Sequence, residues 1–356
     1  MKKTVAVALS GGLDSAISAA LLEKENYRVI GLHFLTGYES PPGDLAPPAP
    51  LSGSYAWAQR AAEQIGISLE VIDCSLPFER EIVSYFIGAY RSGQTPNPCV
   101  VCNQRIKFGV TLEKAKALGA SALATGHYAR IRKETKGQLC LLKGVDQAKD
   151  QSYFLSRLTE EQLSQAMFPV GSHTKEEVRE MAKAWQLTSL ARGESQELCF
   201  VRTPSYRDFL ANLGEFVSKP GAIVNARGDI LGRHQGLHAY TIGQRRGIGI
   251  PGPEPYYVLL LDNRQNRLVI GPKSELADTE CTVTHINWIG IEPPDKPLAV
   301  KTRIRYRHKE ANSTLTPLGR DRANVSFSEP QYAITPGQAA VFYQGERVLG
   351  GGWIAL

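Results

Sequence analysis

The stretch TVAVALSGGLDS, residues 4–15, decides how the fold is read. From Val5 to Leu9 the chain is apolar, first alternating and then nearly continuous, as a strand buried in a parallel sheet should be. The run breaks at Ser10-Gly11-Gly12, where missing side chains let backbone N–H groups turn outward. Asp14 and Ser15 then open an apolar-periodic segment, Ala16 to Lys24, that predicts a helix. Strand, glycine turn and helix N-terminus together make a cradle for an anion. No Gly-Lys-Ser/Thr follows, and the glycine spacing is wrong for a dinucleotide fingerprint. The carboxylate of Asp14 beside the cradle suits a magnesium ion bridging phosphates, and Ser10 and Ser15 add hydroxyls. A plain tight turn between strand and helix is the alternative.

Outward from that stretch the pattern repeats. Tyr27 to Phe34 predicts a second strand, Tyr55 to Ile65 a helix, Ser68 to Ile72 a third strand and Pro77 to Ala89 another helix. This is βα order, hence a parallel sheet. Phe34 falls at a strand's carboxyl end, where open α/β sheets bind ligands, so it is either a core aromatic or a platform for a purine. Glu39 to Ser54, rich in Pro, Gly and Ser, predicts a loop. Ala120 to Ala124 predicts a fourth strand running into Thr125-Gly126-His127, where a bare backbone lets a ligand approach and His127 touches phosphate or caps a sheet edge. A hairpin follows over Ile131 to Leu142, and a helix over Thr174 to Trp185 with Thr174 and Glu177 as a capping box.

The chain has 356 residues, enough for two or three domains, and 41 Lys plus Arg against 35 Asp plus Glu give a formal charge of +6, which fits a polyanionic partner. No apolar run reaches membrane length, and the N-terminus lacks a signal-peptide cleavage site. Six cysteines are too few for a disulfide scaffold of this size, so cytoplasm is the expected location and any functional thiols are reactive or metal-binding. Cys99 and Cys102 lie in RSGQTPNPCVVCNQRIKFG, residues 91–109, where two prolines around Asn97 predict a turn, with Asn103 capping the helix after it and Lys107 on that helix's surface. A CxxC serves redox chemistry or metal chelation, and spacing alone does not choose. Cys199 stands between Leu198 and Phe200, as a third functional thiol or a buried structural one.

KDQSYFL, residues 149–155, offers Lys149 and Gln151 to a phosphate backbone or a base edge. After about residue 209 a small glycine-rich module of short strands carries the basic pair Arg245-Arg246. From Cys281 on, nearly everything alternates as β, predicting a small closed or nearly closed barrel. Within it Lys301, Arg303, Arg305 and Arg307 fall at period two, a shared strand face that is either solvated or a ridge for polyphosphate.

SGGLDS at 10–15 resembles the pyrophosphate loop of enzymes that adenylate a substrate with ATP. With NPCVVCNQRIKFG at 97–109, TGHYA at 125–129, KDQSYFL at 149–155, Cys199, GQRRGIG at 243–249, RIRYR at 303–307 and ITPGQAAVFY at 334–343, the whole chain resembles the bacterial tRNA 2-thiouridylase family. The resemblance implies an α/β fold: a parallel-sheet ATP-pyrophosphatase-like domain over 1–208, a small central domain over 209–275 and an antiparallel β barrel over 276–356. It implies ATP-dependent 2-thiolation of the wobble uridine of tRNA. It places ATP on Ala8, Leu9, Ser10, Gly11, Gly12, Leu13, Asp14, Ser15, Phe34 and Gly126, and tRNA on Asn97, Pro98, Cys99, Lys149, Asp150, Gln151, Arg305 and Tyr306. Cys102 and Cys199 match the family's nucleophile and persulfide carrier, and a cysteine desulfurase or sulfur-relay protein would supply the sulfur.

Two departures stand out: Cys99 where the family usually has aspartate, and TGYESPPGDLAPPAPLSGSYAWAQ in place of its acidic stretch. The extra thiol admits a second scheme, in which Cys99, Cys102 and Cys199 hold a [4Fe–4S] cluster whose fourth iron binds sulfide. Another adenylating tRNA-modifying ligase, or a tRNA-binding protein without catalysis, are the rival classes.

Overall fold

The computed structural model describes residues 2–39, 53–135, 137–187, 198–213 and 219–355. Most of the predicted loop Glu39 to Ser54 and much of the segment before Cys199 lie outside the described residues.

The N-terminal region contributes β1 (Thr4–Ala8), β2 (Arg28–Leu35), β3 (Ser68–Asp73), β4 (Leu123–Ala124), the hairpin strands β5 (Ala129–Lys133) and β6 (Leu139–Lys143), and β7 (Ala166–Met167). Five of these form a wholly parallel sheet in the order β3-β2-β1-β4-β7. The centre is β1, and successive side chains feed two cores. Val5, Val7 and Leu9 pack with Ala19 and Leu22 of helix α1 (Leu13–Lys24) and with Ala58 and Ala62 of α2 (Gly53–Ile65). Ala6 and Ala8 pack on the other side with Leu32, Phe78 and Ile82. Burial on both faces is what the unbroken apolar run requires. The chain leaves β1 for β2 on one side and takes up β4 on the other, so a switch point opens at the carboxyl ends of β1 and β4.

The predicted helix over Pro77 to Ala89 is Ser75–Phe78, Glu79–Val83 and Ser84–Arg91 in unbroken succession, with a widened π turn in its middle. One prediction fails nearby. Cys99 and Cys102 are not on a turn capped from Asn103; a helix begins at Pro98 and runs through Cys102 into a π stretch, Asn103–Thr111. Proline at the first helical position lacks only an N–H that would have no intrahelical partner, so Pro98 starts the helix. Asn97 caps it, its side chain accepting from the Val100 amide at 3.4 Å.

The central module holds β8 (Gly221–Val224), β9 (Ile230–His234), β10 (Tyr257–Asp262) and β11 (Arg267–Gly271), in the order β10-β11-β8-β9 around a small core that includes Val258, Leu268 and Ile270. The C-terminal region is a closed barrel of β12 (Ala277–Trp288), β13 (Leu298–Arg303), β14 (Ala311–Pro317), β15 (Ala323–Tyr332), β16 (Ala339–Gln344) and β17 (Arg347–Ile354). All its neighbours are antiparallel, and β12 pairing with β17 closes it. The hairpin β5–β6 forms as predicted but joins the barrel's sheet, β6 pairing with β17 at Leu142↔Arg347 and Leu141↔Val348.

The shared basic face is a second correction. The strand β13 stops at Arg303, and the chain turns over 304–308, with the His308 amide donating to the Arg305 carbonyl at 3.0 Å. Arg305 and Arg307 leave the strand, and Arg303 points inward. Its guanidinium donates to Asp150 and Glu310, each at 3.0 Å, and Lys143 pairs with Glu310 at 2.6 Å. Lys143 and Arg303 both lie over the Tyr343 ring, at 4.7 and 5.1 Å. Four charges neutralise one another where the sheet domain, the hairpin and the barrel meet, so the interior tolerates them.

Candidate active site

At the switch point the loop after β1 holds its own shape. The Ser15 hydroxyl donates to the Gly12 carbonyl at 2.8 Å and accepts from the Ser10 amide at 3.3 Å; the Gly12 amide donates to the Ser10 hydroxyl at 3.4 Å. Gly11 is left-handed (φ +77°), and a Cβ there would lie 2.6 Å from the Trp57 Cβ. The first amides of α1 lack intrahelical partners by geometry and face outward from this turn. The bare backbone of Gly126, expected to admit a ligand, instead admits the loop itself: a Cβ on it would fall 2.7 Å from the Ser15 nitrogen. Below, His33 is neutral, since burial holds its pKa below the usual value. Its Nδ1 donates to the Leu9 carbonyl at 2.8 Å, which leaves Nε2 facing the Ser54 hydroxyl at 3.4 Å. His127 is buried, and burial together with Lys107 pushes its pKa far down. Its Nδ1 lies 2.7 Å from the Thr125 hydroxyl, which favours the sheet-edge cap over a phosphate contact.

Asp14, the expected magnesium ligand, carries a partner that the sequence did not reveal. Lys175 Nζ donates to both carboxylate oxygens, at 2.7 and 2.8 Å, and the Tyr128 hydroxyl donates to Oδ1 at 2.8 Å. Lys175 is the first residue of the helix Lys175–Ala184, whose capping box at Thr174 and Glu177 forms as predicted. Locally it looks like a surface lysine; only the fold brings it across 161 positions to Asp14. A metal that uses one carboxylate plus substrate phosphates fits Asp14, on condition that Lys175 gives way.

The three thiols gather on the other side of the cleft. Cys99 and Cys199 reach solvent and Cys102 is half-buried; all six cysteines are free. Phe200, buried among Phe78, Phe86 and Phe209 at 5.3–5.6 Å between ring centroids, anchors the chain so that Cys199 faces out, against the reading of a buried structural thiol. Although Cys99 reaches solvent, the protein packed around its sulfur, and next the Cys199 thiol, push its pKa up to about 11. Desolvation raises Cys102 and Cys199 as well. The Lys107 charge opposes the rise at all three. The Cys199 segment meets the carboxyl end of the sheet, the edge on which the loop after β1 also lies: Arg202 Nε donates to the Tyr38 carbonyl at 3.2 Å, and the Tyr38 and Phe200 ring centroids are 6.2 Å apart. Among the described residues, no group of three or more His, Cys, Asp or Glu is arranged to hold a metal ion. The iron–sulfur alternative for Cys99, Cys102 and Cys199 finds no support in this arrangement.

Phe34 sits at the end of β2, half-buried against the core. Of the residues expected to meet tRNA, Asn97 and Pro98 are buried and Cys99 is exposed. Asp150 is consumed internally, accepting from the Gly144 and Ser152 amides at 3.2 and 3.1 Å and from Arg303. Gln151 accepts from the Tyr128 amide at 3.1 Å and so braces the tyrosine that holds Asp14. The Tyr306 ring centroid is 4.3 Å from that of Phe154. Arg305 donates to the Tyr332 carbonyl at 3.0 Å.

A phosphate-type loop at the switch point of a parallel sheet, with a thiol-lined cleft and a closed β barrel behind it, defines a nucleotide-loop protein built from three modules. Residues 3–203 match the family described as tRNA methyl transferase HUP domain, 207–272 the tRNA methyl transferase PRC-barrel domain, and 278–354 the Aminomethyltransferase beta-barrel domain. The tRNA-specific 2-thiouridylase MnmA of Geobacter metallireducens is 44% identical, over 99% of this chain and 97% of its own length. The protein of the same name from Syntrophotalea carbinolica is 45% identical, over 99% of each chain. The chain belongs to the tRNA-specific 2-thiouridylase family.

Proposed function

We propose that this chain is an ATP-dependent tRNA 2-thiouridylase acting on the wobble uridine. The observation that carries the reading is an anion loop and a thiol-bearing segment at the same, carboxyl edge of the parallel sheet. Methyl transfer, the activity in the family descriptions, and plain adenylating ligation have no use for that thiol set.

The C2 oxygen of uridine attacks the α-phosphate of ATP, and pyrophosphate departs into the amides and hydroxyls of Ser10 to Ser15. A magnesium ion on Asp14 would supply charge neutralisation at the pyrophosphate; Lys175, released from Asp14, is the chain's own cation for the same task. The product carries AMP on O2 of the base. A desulfurase or relay protein loads Cys199 as a persulfide, and its terminal sulfur attacks C2 and expels AMP. Cys102 then attacks the inner sulfur of Cys199, forming a Cys102–Cys199 disulfide and leaving C2=S; a dithiol reductant restores both thiols. Lys107 favours the thiolates this needs. Lys149, Arg305 and Tyr306 would meet the tRNA from the barrel side.

The test is incubation with ATP, tRNA and a persulfide donor, measuring AMP and nucleoside-level 2-thiouridine. Wild type forms both. Cys199→Ala keeps forming AMP and loses 2-thiouridine. Absence of tRNA-dependent AMP refutes activation; 2-thiouridine from Cys199→Ala refutes the sulfur assignment.

A further inference from the structure

The segment Gln94 to Asn97, which leads into the cysteine helix, is poorly able to hold itself. Pro96 and Pro98 have no N–H, so the carbonyls and amides around them must be met from elsewhere. The Gln94 and Asn97 amides are met within the domain, by the Ala89 carbonyl at 2.9 Å and the Tyr85 hydroxyl at 3.3 Å; the Thr95 amide and the Thr95 and Pro96 carbonyls are met from the barrel. Gln338 Nε2 donates to the Thr95 carbonyl at 3.0 Å and to the Pro96 carbonyl at 3.1 Å. The Thr95 amide donates to the Pro336 carbonyl at 2.9 Å. Gly337 is left-handed (φ +88°), and a Cβ on it would lie 2.9 Å from both the Gln94 Cβ and the Thr95 oxygen, so the turn rests directly on the segment. The next barrel residue reaches the helix cap: Asn97 Nδ2 donates to the Tyr153 hydroxyl at 3.3 Å, which donates to the Ala339 carbonyl at 2.9 Å. The turn itself is fixed to the barrel, because the Ile354 amide donates to the Gln338 carbonyl at 2.9 Å and the Gly337 amide to the Ile354 carbonyl at 3.0 Å.

We propose that the barrel turn Thr335–Gln338 is a clamp that positions the helix bearing Cys99 and Cys102, with Gln338 as its positioning residue. For its effect on sulfur transfer the clamp rests on the function proposed above; for its effect on thiol presentation it does not. Among the described residues no hydrogen bond joins the clamp to the Ser10–Ser15 loop, so its main effect falls on the sulfur step. It also gives the catalytic domain a reason to keep its barrel close: docked RNA and presented thiol are set by the same wall, since Arg305 donates to the Tyr332 and Ala333 carbonyls immediately before the turn.

The test uses the full chain with Gln338→Met, which keeps length and loses the donor, and Gln338→Lys, which keeps an N–H of similar reach. In Gln338→Met, tRNA-dependent AMP formation should stay within about threefold of wild type while 2-thiouridine formation falls about tenfold, the scale of two lost hydrogen bonds. Modification of Cys99 by a soluble disulfide reagent should change in rate by at least about threefold, and Gln338→Lys should recover both readouts. Retention of 2-thiouridine formation within twofold in Gln338→Met overturns the clamp. So does a fall of AMP and 2-thiouridine together in step with the melting temperature, which would mark Gln338 as domain glue. If wild type makes no 2-thiouridine, the proposed function fails, and Cys99 reactivity decides the clamp alone: altered in Gln338→Met it stands, unaltered it falls.

Discussion

The two sides of the cleft are built in opposite ways. The backbone turn of the loop Ser10–Ser15 is held by hydrogen bonds among its own residues, none spanning more than five positions, and only the Asp14 carboxylate reaches distant partners, Tyr128 and Lys175. The cysteine helix is held in part from far away: beyond the nearby Tyr85 hydroxyl, the Asn97 cap is bonded to Tyr153 and the residues before it to Gln338, 242 and 243 positions on. The same contrast appears in charge. Asp14 has one close cation at the cleft edge, whereas Asp150, Arg303, Glu310 and Lys143 form a closed set in the interior. A turn braced by its own backbone and hydroxyls keeps its form while substrates come and go. A helix held by another domain is only as well placed as that domain.

Three perturbations separate these modes. The largest expected effect is at the domain junction. Arg303→Met leaves two carboxylates buried beside one lysine and should destabilise the chain by about 3–5 kcal/mol, read from denaturant unfolding. Unchanged stability would mean that the network is screened and does not hold the barrel in place. Next, Asp14→Asn should lower tRNA-dependent AMP release about 100-fold while leaving tRNA binding by gel shift intact, because the damage stays within the loop side. Unaltered AMP release would remove Asp14 from the phosphate chemistry. The smallest effect concerns pH. Burial favours the neutral thiol at Cys99, with its pKa pushed up to about 11. In tRNA-free protein at pH 8 it should therefore react with a disulfide reagent about tenfold more slowly than free cysteine, with the rate climbing as pH rises toward 11. A rate already flat at pH 8 would show that Lys107 outweighs desolvation and that the thiol side is activated before RNA arrives.

What the sequence made legible follows this division. The loop, α1, the parallel order of the strands and the Thr174–Glu177 capping box rest on neighbours within a few positions, where pattern and chemistry coincide. The misread features all rest on distant partners. A period-two count put Arg303 and Arg305 on one outward face, but Asp150 draws Arg303 in and the strand ends there. The prolines around Asn97 suggested a turn, but a proline at the first helical position starts a helix when its cap and its carbonyls are served by Tyr153 and Gln338. The family resemblance named Cys102 and Cys199, yet it gave no sign that Lys175 would occupy Asp14.

By itself, the sequence determined the βα sheet, the anion loop and the closed barrel, because hydrophobic periodicity and glycine conformation act over one strand or one turn of chain. The tertiary structure decided which charges are neutralised, which carbonyls are satisfied and which thiols face one another. Those are properties of groups a few ångströms apart in space and up to 243 positions apart in the chain, as Thr95 and Gln338 are, and no local pattern encodes such a pair.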